Sequence, residues 1–156
     1  MLRNLITISA AAAISLAAFA VAVPVNAASH GLAPEEAHMV RSDAMKKMGG
    51  TMRSLGTLTD QQAMIDAANI YVETFAALSG WFPEGSGVGE VEGSNALPAI
   101  WENPEGFEAA RVNAADKAAV LLAAAQAGDA AAFAAAVQPL GMACGNCHSQ
   151  FRQNPQ

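Results

Sequence analysis

The chain has 156 residues, 53% of them hydrophobic and 14% charged, with a formal net charge of −6 and a mean hydropathy of +0.24. An acidic chain of this size makes one small domain, and its charge argues against binding nucleic acid or anionic lipid. Its only two cysteines lie close together near the C-terminus, so no cysteine-rich zinc site can be completed.

Residues 1–27 read as a secretory signal. Arg3 supplies the positive start, Leu5 to Val23 the apolar run, and Pro24 ends it. Val25-Asn26-Ala27 then offers small residues at the two positions a signal peptidase reads, which places cleavage after Ala27. An uncleaved membrane anchor is the alternative, because the run is about long enough to span a bilayer. After cleavage, residues 28–156 form the mature domain, which needs no membrane. It is one charge more acidic, since Arg3 leaves with the leader.

The mature chain carries four stretches of helical periodicity and no period-two strand pattern. The first helix is expected from about Ala33 to Leu55. Pro34 suits its first turn, Glu35 and Glu36 suit its positive end, and Met45, Met48, Met52 and Leu55 form a stripe. Gly49 and Gly50 weaken its middle and would let a backbone or a flat group approach. The second helix runs from about Asp60, a fitting N-cap, to Leu78, with Met64, Ala68, Tyr71 and Phe75 on its stripe. Gly80 lies just past its expected end.

A Gly-rich loop from Gly80 to Glu102 follows. It contains Trp81, Phe82 and Trp101, which either plug the bundle end or pack against whatever the bundle holds. The third helix starts at Asn103 and Pro104, carries Phe107, Ala110, Ala114, Ala118, Leu121 and Ala125, and stops at Gly128. Asp129 caps the fourth, whose stripe is Phe133, Val137, Leu140, Cys144, Cys147 and Phe151. Pro139 should kink it.

The last helix holds Cys144-Gly145-Asn146-Cys147-His148. Positions i, i+3 and i+4 of a helix share one face. Two thiols therefore point, with an imidazole, at one object, the arrangement of the C-x-x-C-H signal for covalent haem. A redox dithiol is the competing reading, but the βαβ surroundings it needs are missing. Short first and third connections imply an all-α, up-down-up-down antiparallel four-helix bundle with covalently attached haem at one end.

These residues resemble the class II cytochromes c, which include cytochrome c′ and its low-spin, Met-ligated relatives. The resemblance rests on the C-terminal position of the haem motif and on CGNCHSQFR at Cys144–Arg152. It rests also on WFPEGS from Trp81, ALPAIW from Ala96, AGDAAAF from Ala127, and on Arg41 followed four residues later by Met45. It implies one haem c per chain, joined by two thioethers to Cys144 and Cys147, with His148 as the proximal iron ligand. It implies that Arg152 lies beside the imidazole, one turn past His148. Met45 would face the open side of the iron, as a ligand or as a shield.

Arg41 would belong to the distal pattern, pair with a haem propionate, or stand solvated at the surface. His38, two turns before Met45, is a distant further candidate, and His30 carries no signal. The expected function is periplasmic one-electron transfer between redox partner proteins, with no enzyme site. The alternative is a five-coordinate protein binding small gases, NO or CO. The resemblance also implies that a homodimer through the first two helices can form, with Met39, Val40 and Ile65 either on its face or standing as scattered surface apolars.

Overall fold

The computed structural model describes residues 31–154. The expected leader at residues 1–27, and His30, lie outside the described residues. Helix α1 spans Pro34–Leu55, α2 Gln61–Ala77, α3 Ala99–Glu102, α4 Pro104–Gln126 and α5 Ala130–Phe151. Three of the four long helices begin at a capping side chain, and α1 begins at Pro34 with no side-chain cap. Asp60, Asn103 and Asp129 each accept a hydrogen bond from the backbone N–H three residues on, at 2.8, 3.0 and 2.9 Å. Each satisfies one of the N–H groups that the first helical turn leaves unpaired.

Two boundaries differ from expectation. The second helix ends at Ala77, and Leu78–Trp81 tighten into a 3₁₀ turn that takes in Gly80. The long loop also contains a helix of its own, α3. Pro98 sits at its N-cap, and the N–H groups of Trp101 and Glu102 both donate to the Pro98 carbonyl. Helix α5 runs on through Pro139 to Phe151, although the ring removes one N–H donor from its ladder. At the α4 end, Gly128 takes φ +68°. The Gly128 and Asp129 N–H groups donate back to Ala125 and Ala124, closing a Schellman turn that reverses the chain into α5.

Helices α1, α2, α4 and α5 form the antiparallel four-helix bundle. Helix α4 lies closely against α2 and α5, whereas α1 touches α2 and α5 at fewer points. The sequence accounts for the difference. Ala114, Ala118 and Ala125 on α4 meet Ala67 and Ala68 on α2 and Ala136 and Ala143 on α5 in one buried core. Small residues let helix axes approach. Tyr71, Met64, Leu121, Phe133 and Leu140 fill that core without solvent exposure. A second cluster of Ala96, Ile100, Phe107 and Phe151 closes one end of the bundle. Phe107 is its hub, edge-on to Phe82 at 4.8 Å and to Phe151 at 5.3 Å between ring centres.

Candidate cofactor site

The loose contact of α1 with the rest of the bundle marks a cavity of about 660 Å³. Helix α5 forms one wall with Cys144, Cys147 and His148, so the i, i+3, i+4 spacing does bring the three groups to one side of one space. Helix α1 forms the facing wall with Arg41, Met45, Met48 and Met52, and His38 also borders it. Tyr71 and Phe75 from α2 and Phe107, Arg111 and Ala114 from α4 make the floor. Phe82, Gly93, Asn95 and Ala96 close one end.

Cys144 and Cys147 are free, half-buried thiols. Burial pushes both thiols up from their ordinary pKa, and for Cys147 the neighbouring Cys144 adds to the effect. Burial also lowers His148, with a smaller contribution from the Arg152 charge. A neutral imidazole keeps a lone pair for a metal.

Arg152 stands one turn past His148, at the C-cap of α5, and its N–H donates to the His148 carbonyl at 3.1 Å. The helix ends at Phe151, and Arg152 is extended at φ −127°, ψ 130°, forming an antiparallel bridge with Ala96. It borders the cavity and acts on His148 through its charge.

Arg41 departs from the solvated alternative. It is 6% exposed. One terminal nitrogen donates to the Trp81 carbonyl at 3.0 Å and the Ser86 hydroxyl at 2.9 Å. The other donates to the Ser86 carbonyl and to the Ser94 hydroxyl at 2.8 Å. The guanidinium also lies over the Phe82 ring, 5.0 Å from its centre. Burial pulls its pKa down. Among the described residues it has no carboxylate partner, since the ion pairs there are Lys46–Asp43 and Arg111–Glu108.

Of the loop aromatics, Phe82 reaches the cavity. Trp101 packs on the second cluster and donates its ring N–H to the Phe82 carbonyl at 3.1 Å, and Trp81 packs on the main core.

Three residues escaped the sequence reading. Arg111 stands beside the Ala110–Ala114 stripe, yet it borders the cavity and donates to the Phe75 carbonyl at 2.7 Å. Its spacing of three from Glu108 was the available signal. Ser86 and Ser94 hold Arg41; Ser86 ends the WFPEGS segment, and Ser94 carries no sequence signal.

The lining fits a covalently held haem. The cavity is bordered by Gly49, Gly141 and Gly145, and a Cβ at any of them would meet nothing within 4 Å, which leaves room for a flat group. Arg41, Lys46, Arg111, Arg152 and the two histidines border it, with no Asp or Glu. A group carrying two carboxylates, as haem does, finds cations and no like charge.

Comparison with known proteins agrees. The profile of the family described as Cytochrome C′ matches residues 36–152. A cytochrome c-554 of Cereibacter sphaeroides is 42% identical over 108 residues, 69% of this chain and 80% of that protein. A cytochrome c-556 of Agrobacterium tumefaciens is 38% identical over 114 residues, 72% of this chain and 93% of the other. A solved nitric oxide complex of a cytochrome c′ variant from Alcaligenes xylosoxidans superposes with TM-score 0.67 at 26% identity, covering 78% of this chain and 97% of that one.

Proposed function

The chain belongs to the cytochrome c′ family, and on that premise we propose that it is a periplasmic one-electron carrier whose haem is held by Cys144, Cys147 and His148 with Met45 as distal ligand. Haem c is the cofactor of the family, and it supplies an iron that takes up and releases one electron. The observation that carries the proposal is the meeting of residues from opposite ends of the chain. Met45 on α1 and the Cys144, Cys147 and His148 face of α5 border one cavity.

The chain's own contribution is placement. Cys144 and Cys147 form the thioether links and fix the group to α5. His148 offers a neutral imidazole from the same face. Met45 presents a soft thioether from the facing wall, and Met with His raises the reduction potential. Tyr71, Phe75 and Phe107 exclude water from the floor, which limits reorganisation when charge changes. Arg41 and Arg111 favour the propionate charges and hold the walls. Arg41 has its four terminal N–H donors engaged, so it is not a free acid for peroxide chemistry, and Met45 offers no base. The expected leader supports export, and no described helix is long and apolar enough to cross a membrane.

A second reading is supported by the nitric oxide complex of the Alcaligenes relative. On this second reading Met45 of this chain would shield the iron, and the distal space would take NO or CO. Spectroscopy of haem-loaded protein separates the two. A low-spin ferric spectrum with a sulfur-to-iron band, lost in Met45→Ala, is expected. A high-spin ferric spectrum unchanged in Met45→Ala, with ready CO uptake, overturns the first reading in favour of the second.

A further inference from the structure

The segment from Trp81 to Leu97 crosses from one wall of the cavity to the other. Arg41, one turn before Met45 on α1, gathers it through Trp81 at its start and through Ser86 and Ser94 further along. At its end it is tied to the residues just after His148. The Leu97 N–H donates to the Phe151 carbonyl at 3.0 Å, and the Gln153 N–H donates to the Asn95 carbonyl at 2.8 Å. Ala96 and Arg152 form the bridge between those two bonds. Both anchors thus lie within about one helical turn of the two residues that face each other across the cavity.

The interior of this strap is built to be rigid. Gly85, Gly89 and Gly93 take φ of +79°, +81° and +77°, which only glycine adopts without strain. Ser86 is wholly buried and Ser94 is 5% exposed. The Ser94 hydroxyl is the node. It accepts from Arg41 at 2.8 Å, donates to the Ser86 carbonyl at 2.8 Å, and receives the Ala96 N–H at 3.4 Å. The Ser86 hydroxyl accepts from Arg41 and donates to the Pro83 carbonyl at 2.8 Å. Among the described residues helix α1 lies closer to α2 than to α5 and does not meet α4, so the strap is a further tie between the distal wall and the proximal wall.

We propose that Ser94, with Ser86 acting through Arg41, is a positioning residue that sets the separation of the Met45 and His148 walls and so governs whether the Met45 thioether reaches the iron. The proposal rests on the reading of Met45 as a ligand. It predicts a spectroscopic change from a residue that borders no part of the cavity.

The test uses haem-loaded protein in five forms: wild type, Ser94→Ala, Met45→Ala, the double variant, and Ser94→Thr, which keeps the hydroxyl. Spin state, reduction midpoint and the hydrogen-exchange rate of the strap amides are measured. Ser94→Ala is expected to shift the high-spin to low-spin ratio by up to about fivefold, the effect of one ordinary hydrogen bond, and to speed exchange in the strap. Ser94→Thr should restore much of the wild-type spectrum, and Ser94→Ala should add nothing in the Met45→Ala background. If Met45→Ala changes the spectrum while Ser94→Ala leaves spectrum and midpoint as in wild type, the strap has no positioning role. If Met45→Ala is itself silent, the ligand reading fails and takes this proposal with it. A lowered melting temperature in Ser94→Ala with an unaltered spectrum also counts against the proposal.

Discussion

Tyr71→Phe probes the join between the distal helix and the core. Tyr71 is fully buried on α2, borders the cavity, and donates its hydroxyl to the Met48 carbonyl on α1 at 2.7 Å. Met48 lies one turn after Met45, so this bond holds the distal wall from below. Removing one oxygen leaves the ring packing intact. The Met48 carbonyl also faces the Met52 N–H of its own helix, which limits the penalty. The loss is set at about 1 kcal/mol, within the 0.5–1.5 kcal/mol range of a net hydrogen bond.

Alkaline pH supplies a second reading of the same residue. Burial raises the phenol to about 12 from its ordinary 10.0, with the Cys144 thiol a lesser cause. The folded protein therefore holds this proton more tightly than the unfolded chain does. The stability tied to it is fully present below pH 10 and is lost as pH rises through about 12. Equilibrium denaturation of wild type and Tyr71→Phe at pH 7 and at steps from pH 9 to 12 measures both effects. Wild type should be the more stable at pH 7, and the gap should narrow as pH rises. Equal stability at pH 7, or a gap independent of pH up to 12, would refute the reasoning.

Other expectations follow from packing and capping. Leu121→Ala opens a cavity at an unexposed position in the core α4 shares with α2 and α5, and should cost about 2–5 kcal/mol in denaturant unfolding without changing the m-value. Asn103→Ala removes the bond to the Gly106 N–H and should cost about 1 kcal/mol, read as a lower unfolding midpoint. Met39, 59% exposed on α1, is the residue on which the homodimer reading turns. Sedimentation should show a dimer that Met39→Glu dissociates, and a monomeric wild-type protein would contradict that reading.

Helix placement was legible where a single residue performs the capping chemistry. Pro34, Asp60, Asn103, Gly128 and Asp129 stand where their local geometry requires. The cavity wall of Cys144, Cys147 and His148 was legible because helical spacing alone places three residues on one face. Met45 came from the resemblance, since its stripe contains Met48 and Met52 with the same periodicity. The place of Arg41 stayed open among three readings because its acceptors lie 40 to 53 residues away, on Trp81, Ser86 and Ser94. The pairing of Arg152 with Ala96 just past the end of α5 was not legible, because the two residues lie far apart in the sequence. Short α3 lay below the length at which periodicity speaks.

Intact-mass measurement of the protein recovered after export, paired with its visible spectrum, tests the central claim most directly. The predicted result is a chain beginning near Ala28 and heavier by one haem that survives denaturation, with each of Cys144→Ala and Cys147→Ala leaving a single thioether. A bare polypeptide mass with no haem absorption would contradict the account.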